Sequence, residues 1–126
     1  TFHKSIESKC YACMATSALA SRQGPSIVSR IIEVGMIPAL LKMLQVETAE
    51  MNLHVTFVFN KLSMSSSTHQ EFCRRNVATF LTKHTQVTNE HALTYSIAAI
   101  RRLSDDKHIQ AELVANNSME FLANVY

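Results

Sequence analysis

The chain has 126 residues, 47% hydrophobic and 17% charged, with a formal net charge of +2. That composition excludes a disordered chain, which could not bury enough apolar surface to offset its entropy, and the charge is too small to mark nucleic acid or an anionic membrane as the partner. Only 2 Gly and 2 Pro are present; all-β folds use turn residues at every hairpin, so the scarcity points to helices.

Taken in chain order, Ser5 to Ser21 places Ile6, Cys10, Cys13, Met14, Ala18 and Leu19 at helical spacing. Gln23-Gly24-Pro25 ends that helix, because Gly tolerates a left-handed cap and Pro cannot continue. Ser26 reads as the N-cap of a short helix through Val34, which Gly35 breaks. A second short helix runs from about Pro38 to Gln45, with Pro38 in the first turn, where a missing N–H is harmless. A longer helix spans about Met51 to Met64 and is apolar on more than one side, through Leu53, Val55, Phe57, Val58, Phe59 and Leu62. After a polar loop at Ser63 to Ser67, Thr68 and Glu71 match a capping box opening a short helix to Arg75. Helices from Val77 to Gln86 and from Asn89 to Ser104 follow. Asp105-Asp106 then opens a short helix to Ala115, and Ser118 opens the last one.

The order short, short, long recurs. Ile32, Phe72 and Leu113 are 40 and 41 residues apart, as are Leu40, Phe80 and Phe121, and Leu41, Leu81 and Leu122, and Ile37, Val77 and Ser118. Leu62 and Leu103 are 41 apart, and Leu19 lies 43 before Leu62. A three-helix unit of about 40 residues predicts an all-α solenoid, in which stacked units supply the core that no unit has alone. The units read as 1–22 (a third helix), 26–64, 68–104 and 106–126 (first and second helices), so part of a longer chain or assembly is expected.

Ile31 to Leu44, Ile-Ile-Glu-Val-Gly-Met-Ile-Pro-Ala-Leu-Leu-Lys-Met-Leu, resembles the hallmark of the armadillo repeat family: an acidic residue and a Gly lead into Ile-Pro and a Leu-rich second helix. In the later units Arg75 and Asn116 replace the Gly, and Thr79 and Glu120 replace the Pro. The resemblance implies a right-handed solenoid (a HEAT-like solenoid is the alternative) and a non-catalytic scaffold that binds other proteins along a concave groove lined by the third helices. In the family's import adaptors, Trp and Asn ladders hold basic peptides. Here the Asn positions are Ala18, Lys61 and Arg102, and there is no Trp. A positive groove taking an acidic segment is implied instead, with His54 and Tyr95 beside it. Further repeats or subunits are expected to pack on the solenoid ends. A nucleic-acid-binding solenoid is the alternative function, and the small net charge argues against it.

No catalytic, cofactor or metal residues emerge. Cys10 and Cys13 form a CxxC, but inside a helix and without two more ligands at close spacing they read as small apolar residues. His69 and Cys73 share a helical face with no third ligand near. No phosphate-binding glycine loop, HExxH or GxSxG occurs. An odd cysteine count in a chain without secretory features indicates a reducing compartment, hence a cytoplasmic protein, and no apolar stretch approaches the ~20 residues of a membrane span.

Overall fold

The computed structural model describes residues 5–22, 25–46 and 48–126, and among them every regular element is helical. In order these are α1 (Ile6–Arg22), α2 (Pro25–Glu33), α3 (Met36–Leu44), α4 (Ala49–Ser63), a 3-10 turn (Ser66–Thr68), α5 (His69–Arg74), α6 (Val77–His84), α7 (Glu90–Leu103), α8 (Lys107–Ala115) and α9 (Met119–Ala123). Gln23 and Gly24, expected to stop the first helix, lie outside the described residues.

The three longest helices lie side by side with α4 in the middle, packed along α1 on one flank and α7 on the other. They run parallel. Early residues meet early residues (Cys10 against Met51), and later ones meet later ones (Phe57 against Tyr95, Asn60 against Arg102). The short helices form the opposite side: α3 packs on α4 and α6, and α6 on α7 and α8. A single core runs through both sides, with Phe59, Phe72, Met51, Leu62, Leu81 and Leu103 among its fully enclosed members.

Side-chain caps start the helices where the sequence placed polar residues. Thr48 accepts from the Met51 N–H at 3.2 Å, Asn89 from Ala92 at 3.4 Å, and Asp106 from His108 at 2.8 Å. Ser26 is not a cap, because α2 already begins at Pro25. The capping box at Thr68 and Glu71 does not form either. Thr68 turns its hydroxyl back onto the carbonyls of Leu62 and Ser65, at 2.9 and 2.8 Å, and Glu71 pairs with Arg74 and Arg75, at 3.0 and 2.8 Å. Thr68 is itself in the helical region (φ −82°, ψ −19°) at the end of the 3-10 turn, not in the extended conformation of a capping residue, so its hydroxyl meets the carbonyls behind it instead of the first N–H groups of α5.

The break between first and second helices needs a left-handed residue, and Gly35 supplies it at φ 81°. The same conformation recurs at Asn76 (φ 55°) and Asn117 (φ 57°), one residue after the positions read from the sequence as Gly replacements, Arg75 and Asn116. Asn adopts this region more readily than most residues with a side chain. Gly35, Asn76 and Asn117 are spaced by 41 throughout. Burial follows the same register: Ile31, Phe72 and Leu113 are all buried, whereas Ile32 is only half-buried. In the second helices Leu40 corresponds to Leu81 and Leu122. The spacing of 40 read between the first two units is therefore corrected to 41.

Candidate functional site

Besides the flank that α4 turns to α1, it presents three faces, of which the first and the third recur on α7. One lies under the short helices: Met51, Val55, Val58 and Leu62 of α4 and, 41 residues on, Ala92, Ser96, Ala99 and Leu103 of α7 are inaccessible to solvent. The second, polar and buried, is the flank that α4 turns to the next unit. Asn52 donates from Nδ2 to the His84 carbonyl at 2.7 Å and accepts from the Gln86 N–H at 2.9 Å, pinning the chain between α6 and α7. The third face is open, and it carries every residue the sequence singled out for binding.

On that open face His54 and Tyr95 occupy equivalent positions, as do Phe57 and Ala98, and Lys61 and Arg102. All six are half-buried. Phe57 and Tyr95 meet edge to face across the α4–α7 seam, ring centroids 4.9 Å apart. With Met14, Leu53 and His54 they line a shallow cleft of about 220 Å³. Met14, 46% exposed, comes from α1, so the cleft spans all three long helices. Lys61 lays its stem along this ridge and holds Nζ 5.2 Å from the centre of the Phe57 ring. No carboxylate among the described residues pairs with it.

Arg102 behaves differently from the expectation of a second groove charge. Its Nη1 donates to the Asn60 carbonyl at 3.1 Å, to the Asn60 side-chain oxygen and to Ser63 Oγ at 3.3 Å. The guanidinium closes the C-terminal turn of α4 from the neighbouring helix, where free carbonyls and the negative dipole end favour a cation. Thr68 takes the Leu62 carbonyl and His69 the Ser63 carbonyl, the latter at 3.1 Å. The sequence reading missed Asn60 and Ser63 as partners. The available signal was a pair of polar residues inside an otherwise apolar helix. It also missed Met14 as lining of the cleft.

The remaining chemistry is structural. Cys10 and Cys13 are buried, and burial pushes both thiols up, Cys13 to about 11. Cys10 Sγ lies 3.7 Å from Met51 Sδ in the α1–α4 seam. His69 is engaged with Ser63 and does not converge with Cys73 on any third ligand. No group of three metal-binding side chains occurs among the described residues. Arg101 pairs with Asp105 at 3.3 Å on the surface. No helix among the described residues is long and apolar enough to cross a membrane. No family model matches the chain, nor does any curated protein or solved structure.

Proposed function

We propose that the chain is an armadillo-like solenoid segment that acts as a non-catalytic scaffold, binding an acidic segment of a partner protein across the open face of α1, α4 and α7. One observation carries the reading. Three parallel long helices share one uncovered face, and at its centre an apolar, aromatic cleft adjoins a lysine with no internal carboxylate partner among the described residues. The recurrence of short, short and long helices every 41 residues, with a left-handed residue at each first-to-second junction, supports the solenoid part. The chemistry of the face supports the partner class. A rigid apolar cleft supplies the desolvated contact on which interface energy concentrates, while a rim lysine selects the sign of the approaching charge and sets register more than affinity. Arg102 commits its Nη1 to α4, so its charge is held at the end of that helix and not carried free on the ridge as that of Lys61 is.

The test is an NMR titration of isotope-labelled protein with three extended peptides, each bearing one aromatic residue in an acidic, neutral or basic background, and with a single-stranded oligonucleotide. The acidic peptide is expected to shift resonances of Met14, His54, Phe57, Lys61 and Tyr95. Lys61→Glu should weaken it about tenfold with only a small fall in melting temperature from the lost contact with Phe57. Preference for the basic peptide, or acidic-peptide binding indifferent to Lys61→Glu, overturns the reading. Oligonucleotide binding that collapses steeply with salt would mark a nucleic-acid surface instead.

A further inference from the structure

The open face carries charge of opposite sign at its two ends. On α4, Glu50, His54, Phe57 and Lys61 are spaced i, i+4, i+7 and i+11, which is one side of a helix. On α1, 43 residues back, Glu7, Tyr11 and Met14 hold the places of Glu50, His54 and Phe57. Met14 lines the cleft with His54 and Phe57, so the two stripes lie side by side. Glu7 and Glu50 are exposed, and neither has a cationic partner among the described residues. They flank one spot: burial raises the Cys10 thiol most, and the charges of Glu50 and then Glu7 add to it. Lys9, two residues beyond Glu7, lines a different cleft with Lys42, on the side of α3.

Because the long helices run parallel, charge is sorted along them. The starting ends of α1 and α4 hold the two carboxylates. The finishing ends of α4 and α7 hold Lys61, free on the ridge, and Arg102, held against Asn60. Helix dipoles favour carboxylates in a first turn, but they do not choose a side of the helix. Glu7 and Glu50 both fall on the side of the cleft. Along α4, Phe57 is one turn, about 6 Å, from Lys61 and nearly two turns, about 10 Å, from Glu50. An extended segment lying lengthwise, advancing about 3.3 Å per residue, would meet Lys61 about two residues to one side of its anchor and Glu50 about three residues to the other. A segment crossing the helices at right angles would meet no such change of sign.

We propose that the partner segment is dipolar and lies along α4, with an aromatic anchor in the cleft, a carboxylate toward Lys61, and a lysine or arginine toward Glu50 and Glu7. This is the acidic segment of the scaffold reading with a second charge and a direction added, so the proposal rests on that reading. Lys61 selects acid close to the anchor. The two glutamates reject it further out, where a wholly acidic segment would meet like charge.

Calorimetry on the full chain tests it, with short Gly/Ser peptides that share one central Phe. One has lysines on one side of the Phe and glutamates on the other; the rest have glutamates on both sides, lysines on both sides, or no charge. The dipolar peptide is expected to bind about fivefold more tightly than the all-glutamate one. Glu50→Lys should reverse that order, and Glu7→Lys should shift it the same way. Both positions are exposed, so each variant should keep the wild-type helical signal by circular dichroism, and either alone suffices for the comparison. A nitroxide on the lysine end should broaden the amide resonances of Met51 and Leu53, and one on the glutamate end those of Leu62 and Ser63. An all-glutamate peptide that matches the dipolar one and ignores both variants, or nitroxides that broaden the opposite ends, overturns the proposal and leaves the scaffold reading in place. Preference for the all-lysine peptide, or no preference among the four, overturns both.

Discussion

Arg102 and Lys61 hold the same position on successive helices, and their substitutions are expected to part company. Arg102→Ala removes one charged donor from three acceptors at the end of α4 and leaves the side-chain oxygen of the buried Asn60 without a partner, while its backbone carbonyl keeps Ser63 Oγ. A hydrogen bond to a charged group is worth about 1.5–3 kcal/mol net, and an unsatisfied buried acceptor costs about 1–3 kcal/mol. The guanidinium is half-buried, so water recovers part of that loss, and about 2 kcal/mol is the expected cost. For a chain of this size that lowers the melting temperature by about 6–10 °C. Lys61→Ala gives up a partly exposed cation–π contact worth about 0.5–1 kcal/mol, so its melt should fall by no more than about 5 °C. Thermal melts of Arg102→Ala, Asn60→Ala and the double variant separate the network from the individual side chains. Once Asn60 is gone, removing Arg102 should cost about 1 kcal/mol less than it does in the wild type. Equal melts for Lys61→Ala and Arg102→Ala, or additive effects of Asn60 and Arg102, would refute the cross-helix cap and return Arg102 to the groove.

Two further expectations follow from the packing. Leu62→Ala empties a position with no solvent access at the centre of the core and should cost about 2–5 kcal/mol in chemical denaturation; Leu19→Ala, its counterpart on exposed α1, should cost well under half as much, and similar losses at both sites would break the register argument. The Arg74 guanidinium first, and then Arg75, hold the Glu71 carboxyl below its ordinary value, outweighing burial, which opposes them. A carboxyl lowered by folding stabilises fully above its unfolded value of about 4.3 and loses that contribution as pH falls through the lower folded value. The wild type should therefore exceed Glu71→Gln in melting temperature at about pH 6 and converge on it as pH falls below about 4; a gap that widens in acid would contradict the ion pair.

What was legible in the sequence, and what was not, divides at the level of single residues. The helices and their order followed from periodicity, turn residues and caps, because those signals are local. The register slipped by one because Ile31 sits beside Ile32, Leu40 beside Leu41, and Phe80 beside Leu81. With two apolar neighbours at each landmark, spacing alone accepts 40 or 41. Burial and the left-handed residues choose 41, and Asn76 and Asn117 were the missed signal, since Asn is the commonest stand-in for Gly in that conformation. The candidate face was found through Lys61, His54 and Tyr95, but the fate of Arg102 was not. Whether a cation reaches solvent or a neighbour's last turn depends on the distance between two helices, and no pattern within one helix encodes that distance.

The polar flank of α4 explains why the helices hold one register and why only one face remains open. An apolar seam between parallel helices tolerates a slip of one turn, since one methyl group packs nearly as well as another. Here the buried flank carries Asn52, Thr56, Asn60 and Ser63. Thr56 and Ser63 satisfy themselves on carbonyls of their own helix, at 2.7 Å in each case, and so place no demand on the neighbour. Asn52 and Asn60 do place one. The first needs the backbone of residues 84 and 86, and the second meets Arg102. A shift of α6 and α7 together along α4 by one turn, about 5.4 Å, would strand both in a dry interface at about 1–3 kcal/mol each. Two asparagines at opposite ends of one helix thus fix the position of the next. With one face under the short helices and a second spent on this seam, the face of His54, Phe57 and Lys61 is what each interior long helix has left to offer a partner.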